Sequence, residues 1–255
     1  PIVEGNQIET LVNGQEIFPA MLQAIRMAKS TITFETYIYW SGSIGQEFVD
    51  ALIDRARAGV KVHVLLDWVG SIKMEQAMID SMRSAGIEVE RFHEPHWSNW
   101  GKLNNRTHRK LLIIDGRVGF TGGVGIADHW RGNAQDPDHW RDTHFRVDGP
   151  VVAQMQSVFL DNWMRSTGSV LHGEAYFPSL SKVGPFAAQM FSSSPNGGSE
   201  SMHLMYLLAI TAARKSIDLA NSYFVPDEMT IKTLVEAARR GVKVRVLTPN
   251  THIDS

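Results

Sequence analysis

A segment near the start of this 255-residue chain returns near its end. Residues 28–67, AKSTITFETYIYW…RAGVKVHVLLD, reappear as residues 213–249, ARKSIDLANSYFV…RRGVKVRVLTP. Ala28 matches Ala213, Ile32 matches Ile217, and Gly59-Val60-Lys61-Val62 matches Gly241-Val242-Lys243-Val244. Self-similarity on this scale restricts the chain to a fold built from repeated supersecondary units. In each copy a strand-like apolar run is followed by a helical period that stops at a glycine, and a second strand-like run comes directly after. Two strands joined in this way make a parallel βαβ unit. The fold class this predicts is α/β, with a mixed, mostly parallel sheet flanked by helices, followed by the start of a duplicated second lobe.

The rest of the chain fits around these units. Residues 15–29 and 45–59 have helical spacing, with Pro19 the awkward member of the first, and a Met-spaced helix covers 71–85. Residues 31–40, 60–67 and 87–92 read as strands, and residues 93–106 as a long loop. RKLLIIDGRVGFTGG (109–123) is a pair of apolar runs turning at Asp115-Gly116, a hairpin signal. A strand over 141–149 and a helix over 150–166 follow, and residues 167–186 carry Gly, Pro and Ser without a period. The expected organisation is a first lobe over 1–170, a linker and crossover over 171–198, and the N-terminal part of a second lobe over 199–255.

Composition removes several functions. With no cysteine there is no disulfide framework, no thiolate zinc site and no Cys nucleophile. The 25 Lys and Arg against 27 Asp and Glu leave a net charge of −2, so any basic site is local, and nucleic acid is not an expected partner. No apolar run approaches the ~18–20 residues that cross a bilayer. The first residues, PIVEGNQIET, have neither a charged nor an apolar signal region and no initiator Met, the expectation for a processed or excised piece.

The sharpest chemical feature is Thr107-His108-Arg109-Lys110-Leu111-Leu112-Ile113-Ile114-Asp115. Side chains two apart on a strand share a face, so His108 and Lys110 project together, roughly 6–7 Å apart along the chain. Lys110 offers a point charge to phosphoryl oxygens, and His108 a nitrogen that attacks phosphorus or carries a proton. Asp115 has the opposite parity and sits at the turn, as a hairpin residue or as a brace for the site. A His and a Lys at this spacing on an exposed strand also arise by chance, so spacing alone leaves the catalytic reading open.

HRKLLIID resembles the HxKxxxxD signature of the phospholipase D superfamily, matched at His108, Lys110 and Asp115. NNRTHRK before it, FTGGVGIADHW after it and WRDTHFRVDGP at 140–150 are similar to the same family in the same order. NSYFVPDE (221–228) and PNTHIDS (249–255) resemble the second lobe of its cardiolipin-synthase branch. The resemblance implies a covalent mechanism at a site made where two such motifs meet. One His forms a phosphohistidine, and the other protonates the leaving alcohol and then activates the incoming alcohol or water. By position His108 resembles the first-lobe nucleophile and Lys110 the phosphate clamp. An acidic residue some thirty positions on is implied to engage the other nitrogen of the nucleophile; Asp142 lies 142 − 108 = 34 residues on, and pairing with Arg141 or Arg146 is its alternative. Glu35 is a candidate to line the site, or an ordinary strand-end charge.

This sequence departs from the family pattern twice. Gly122-Gly123-Val124-Gly125 puts a glycine where the family often has Asn. The backbone N–H groups at Gly122 and Gly123 are candidates to face phosphate, or belong to a plain turn. The second motif is also missing: aligning Gly59 with Gly241 places its His near 241 + 49 = 290, past the last residue. This chain is therefore expected to hold half of an active site, completed by a further chain segment or a homodimer partner.

The function the resemblance implies is a phosphatidyltransferase or phospholipase D acting on phospholipids such as phosphatidylglycerol, cardiolipin synthase-like. The alternatives are a homodimeric nuclease-type phosphodiesterase and a catalytically incomplete lipid- or phosphate-binding fragment. No cofactor and no metal is expected, although His93-Glu94-Pro95-His96 with His108 keeps a metal reading open. Trp97 and Trp100 beside Lys102, Arg106 and Arg109 suit peripheral contact with anionic headgroups, or plain loop packing. Arg109 is thereby a candidate substrate-binding residue. The implied location is the cytoplasmic face of a bacterial-type inner membrane, with no transmembrane segment in this chain.

Overall fold

The computed structural model describes residues 1–92, 107–193 and 199–248. It divides the chain into two compact units, residues 1–190 and 191–255. The first is organised on eight strands: β1 (Val3–Val12), β2 (Thr31–Thr36), β3 (Lys61–Asp67), β4 (Glu88–Phe92), β5 (Leu111–Ile114), β6 (Val118–Gly122), β7 (Thr143–Asp148) and β8 (Phe186–Ala188). Their order across the sheet is β4-β3-β2-β5-β6-β7-β1-β8.

The sheet is mixed, but the expectation that it is mostly parallel needs correcting. Parallel pairing is confined to β4-β3 and β3-β2, where the βαβ rhythm operates. The β2-β5, β5-β6, β6-β7, β7-β1 and β1-β8 pairs are all antiparallel. The reason is connectivity: β5 and β6 are a hairpin, and a tight turn can only return a strand antiparallel. The turn follows the Asp115-Gly116 signal, with φ of 53° and 61° at the two residues.

Alternation along the strands separates two cores. Ile32, Phe34, Val62, Val64, Leu112 and Ile114 face α1 (Asn13–Met27), α2 (Ser43–Arg57) and α3 (Gln76–Ser84). Leu65, Leu111, Ile113 and Val147 face α4 (Val152–Thr167), whose Val152, Met155, Phe159 and Trp163 sit at helical spacing. Every residue from Thr31 to Thr36 is buried, as befits a central strand covered on both faces.

The segment expected as a linker over 171–198 falls partly within the first compact unit. Residues 171–190 belong to the first unit: Leu171 and Tyr176 are buried beside α4, the Tyr176 hydroxyl lies 2.7 Å from Nε2 of His63, and β8 extends the sheet beyond β1. These anchors are scattered among polar residues, so they leave no periodic signal.

The second unit contains α5 (Ser199–Ala212), β9 (Ser216–Ala220), α6 (Glu228–Arg239) and β10 (Lys243–Leu247), with a small core of Ile210, Leu234, Ala237 and Val242. Strands β9 and β10 pair in parallel, with Ile217 opposite Val244. In the first unit their counterparts Ile32 and Val62 are opposite one another. The repeat is thus one βαβ unit folded twice in one register. Gly59 and Gly241 end the two helices at φ of +91° and +90°, with open space where a Cβ would sit, so backbone conformation and not crowding selects glycine.

Candidate active site

His108 and Lys110 precede β5 and lie on the α1–α3 face of the sheet, in parity with Leu112 and Ile114. The two side chains converge as their spacing predicts. Lys110 Nζ is 3.3 Å from His108 Nδ1, 3.5 Å from Nε2 and 3.0 Å from the His108 carbonyl oxygen. The Tyr37 ring supports the imidazole from the end of β2, with ring centroids 4.6 Å apart. His108 is exposed and Lys110 buried, so the ammonium lies beneath the imidazole.

This packing sets the protonation states. Although the residue reaches the surface, packing against its neighbours removes part of the solvent around the ring, and this, followed by the neighbouring ammonium, holds the His108 pKa down to about 4. Burial likewise brings Lys110 down to about 8, opposed by the negative charges of Asp142 and Asp67. At neutral pH the pair is a neutral imidazole beside an ammonium. One supplies a lone pair, and the other supplies charge for an anionic group arriving at it.

Asp142 precedes β7 and is partly buried beside this pair. Its Oδ2 accepts from Trp130 Nε1 at 3.0 Å and its Oδ1 from the backbone N–H of Thr143 at 2.8 Å. Burial raises its pKa, against those two donors and the Lys110 charge. Among the described residues Asp142 makes no hydrogen bond to the His108 ring, so its action in this geometry is on the ammonium. His144, two residues on and in the same parity, is buried with Nδ1 unpartnered among the described residues, and burial followed by Lys110 lowers its pKa to about 4. The sequence reasoning missed it, although the parity rule that joins His108 to Lys110 also joins Asp142 to His144.

The glycines act differently from the expectation. The backbone N–H of Gly123 donates to the Thr143 carbonyl at 3.1 Å, so it is not offered to phosphate. A Cβ on Gly123 would collide with the Asp142 carboxylate, and one on Gly122 would lie 2.6 Å from His144 Nδ1. Both residues are small so that Asp142 and His144 can approach. Gly125 abuts Ile38, whose Cβ would be 2.7 Å from an added Cβ, so nothing larger fits at the family's Asn position without displacing Ile38.

Three further expectations change. Asp115 is not at the site: it sits at the far end of β5, where its carboxylate accepts from the backbone N–H groups of Lys29, Ser30 and Thr31 at 2.7–3.2 Å and ties the hairpin to the start of β2. Arg109 has the opposite parity to His108 and faces α4, donating to the Val158 carbonyl at 2.8 Å and pairing with Asp161 at 3.3 Å. Strand alternation aims it away from substrate. Glu35 is fully buried, also on the α4 face, and does not line the site. The loop bearing Trp97, Trp100, Lys102 and Arg106, the His93–His96 cluster, and PNTHIDS lie outside the described residues.

Over residues 21–162 and 206–255 the chain matches the family described as cardiolipin synthase, PLD-like domain. It is 37% identical to the cardiolipin synthase of Alkalihalophilus pseudofirmus over 255 residues, covering 98% of this chain and 50% of that relative. With cardiolipin synthase A of Pseudomonas syringae pv. syringae it shares 35% identity over 256 residues, covering 98% and 52%. The chain spans about half the length of the curated relatives it matches. Among solved structures, a phosphatidylserine synthase from Haemophilus influenzae Rd KW20 has the same fold, with a TM-score of 0.67 over 95% of this chain and 61% of that one at 14% identity. NucT from Helicobacter pylori matches with a TM-score of 0.52 over 63% of this chain and 98% of its own, also at 14% identity. The motif flanking β5, the match over most of the chain and the identity to these relatives lead to one conclusion: the chain belongs to the family of phospholipase D-like domains found in cardiolipin synthases.

Proposed function

We propose that this chain carries the nucleophile-bearing half of a phosphatidyl-transferring active site of the cardiolipin-synthase type. The observation that carries the reading is the convergence of His108 and Lys110, with Lys110 Nζ 3.3 Å from His108 Nδ1; the low His108 pKa, which leaves the ring neutral, agrees with it. An incoming phosphodiester takes over the ammonium through its non-bridging oxygens, which frees the ring. A His108 nitrogen lone pair then forms the N–P bond while the P–O bond to the leaving alkoxide breaks, and that alkoxide takes a proton from an acid on the opposite side. In the second step an acceptor alcohol, or water, attacks phosphorus and gives its proton to the same group, and the N–P bond breaks. The Lys110 charge stabilises the equatorial oxygens in both steps, and Asp142 helps to keep Lys110 protonated.

The opposing acid comes from a second motif, which this chain does not contain. A further half of the same protein, or a second copy of this one, supplies it. The relatives' cardiolipin synthase names support a phospholipid such as phosphatidylglycerol as the substrate, met at a membrane surface on the cytoplasmic side. Among the described residues no helix is long and apolar enough to cross a membrane, so contact through this chain is peripheral in this reading.

Turnover of phosphatidylglycerol in mixed micelles tests the proposal, comparing this chain with the full-length protein from the same gene, each with and without His108→Asn. Full-length turnover abolished by the substitution supports the reading. Full-length activity unchanged by His108→Asn refutes it. Turnover of DNA with none of lipid replaces it with the nuclease reading.

A further inference from the structure

We propose that Glu35 and Asp67 are positioning residues for His108: from the sheet face opposite the site they clamp Thr107, and so fix where the next side chain points. The inference rests on the reading of His108 as the nucleophile.

His108 lies in residues 107–110, ahead of the β5 ladder that begins at Leu111. Sheet hydrogen bonds therefore do not fix this stretch, and side chains must. Thr107 has two donors, and each meets a buried carboxyl group. Its backbone N–H donates to Asp67 Oδ2 at 2.8 Å, and its hydroxyl donates to Glu35 Oε1 at 2.5 Å. Asn162 of α4 closes the arrangement, with Nδ2 2.7 Å from Glu35 Oε1 and 3.1 Å from the Thr107 hydroxyl oxygen. The other oxygen of Asp67 accepts from the N–H groups of Val69 and Gly70 at 3.0 and 2.9 Å.

Glu35 and Asp67 stand near the C-terminal ends of the adjacent parallel strands β2 and β3. Thr107 and His108 alternate across that sheet, so an anchored Thr107 on one face aims the imidazole on the other. A constellation held from behind in this way keeps its geometry when substrate exchanges.

Burial and the unused oxygen define the chemistry of the clamp. Glu35 Oε2 is buried with no hydrogen-bond partner among the described residues, a placement that favours the neutral acid. The groups facing it are Arg109 beside Thr107 and Asp161 on α4, of opposite sign; burial, helped by Asp161, outweighs the hydrogen bonds from Thr107 and Asn162 and the Arg109 charge and lifts the carboxyl to about 7. The Asp67 charge helps to keep the Lys110 ammonium protonated. The pair thus combines an acid that is largely neutral below pH 7 with a carboxylate, and Glu35→Gln should preserve the clamp.

The test uses the full-length protein and phosphatidylglycerol turnover with Thr107→Val, Thr107→Ser, Glu35→Gln and His108→Asn. Misplacing a reacting group by about 1 Å costs on the order of 100-fold. Thr107→Val is accordingly expected to lower kcat roughly 10- to 100-fold with KM within about threefold, while Thr107→Ser and Glu35→Gln stay near wild type. Wild-type kcat in Thr107→Val, a loss carried by KM, or failure of Thr107→Ser to restore kcat overturns the proposal. Ring resonances of His108 in the histidine-labelled 255-residue chain, assigned with His108→Asn, give a readout independent of activity. They should move in Thr107→Val and not in Thr107→Ser; unchanged resonances in Thr107→Val also overturn the clamp. Activity surviving in His108→Asn overturns the nucleophile reading instead, so the two failures are distinguishable.

Discussion

Glu35→Gln makes the burial of this carboxyl measurable as stability. In the unfolded chain Glu35 ionises at its ordinary value of 4.5, and in the folded chain at about 7. A raised carboxyl costs nothing below pH 4.5, where both states are neutral. Between 4.5 and 7 the unfolded state ionises and the folded state does not, so the wild type loses stability as pH rises, and above 7 the loss levels off. At about 1.4 kcal/mol per pH unit the accumulated loss is about 3 kcal/mol. Gln has the same shape and does not titrate. It keeps the acceptor toward Thr107 and Asn162, and any cost of its amide N–H₂ group is constant with pH. The stability of Glu35→Gln relative to wild type should therefore improve by about 3 kcal/mol between pH 4.5 and 7.5. Urea unfolding followed by tryptophan fluorescence reads this cleanly, because all 7 tryptophans lie between Trp40 and Trp163, inside the first unit. Other titrating groups cancel in the difference. A difference that is flat across this window, or that favours wild type as pH rises, would refute the reasoning about Glu35.

Three further outcomes are expected. The pH profile of kcat/KM for the full-length protein should rise through about 4 as His108 loses its proton and fall through about 8 as Lys110 loses its own, and Lys110→Arg should carry the alkaline limb upward. Asp115→Ala leaves three backbone N–H groups without their acceptor and should cost about 1–3 kcal/mol in chemical denaturation, with kcat of the folded protein unchanged. Gly125→Asn, which restores the residue type of the family turn, should lower stability by about 1–3 kcal/mol because Ile38 occupies the space, and Ile38→Ala in the same chain should return part of it.

What could be read in advance follows from the periods of the chain. The pairing of His108 with Lys110 was legible because strand alternation is rigid, and the same rule, applied to Arg109, already aims it at the opposite face. Pattern also sufficed for the strand–helix–strand order of each βαβ unit, whereas the Ile32–Val62 and Ile217–Val244 register came only with the structure. Long-range pairing was hidden. Strand β1 belongs to the sheet only because β7 and β8 accept it from distant sequence, and residues 171–190 join the first unit through single anchors such as Tyr176. Glu35, Asp67 and Asn162 lie far apart in sequence and meet only when β2, β3 and α4 are packed together, so their joint hold on Thr107 has no local signature. Asp115 carries the family motif yet sits at the far end of β5, where its carboxylate holds the start of β2. The Gly122-Gly123 pair resembled a phosphate-binding turn because glycine admits close approach of any kind; here the approaching groups are His144 and Asp142.

The most direct test is to quench the full-length protein during turnover of radiolabelled phosphatidylglycerol, digest it, and map the label. The account predicts an acid-labile, base-stable phosphoryl adduct on the peptide containing His108, absent in His108→Asn and reduced in Lys110→Met. Label mapping to another residue, or turnover proceeding with no adduct on that peptide, would contradict the account.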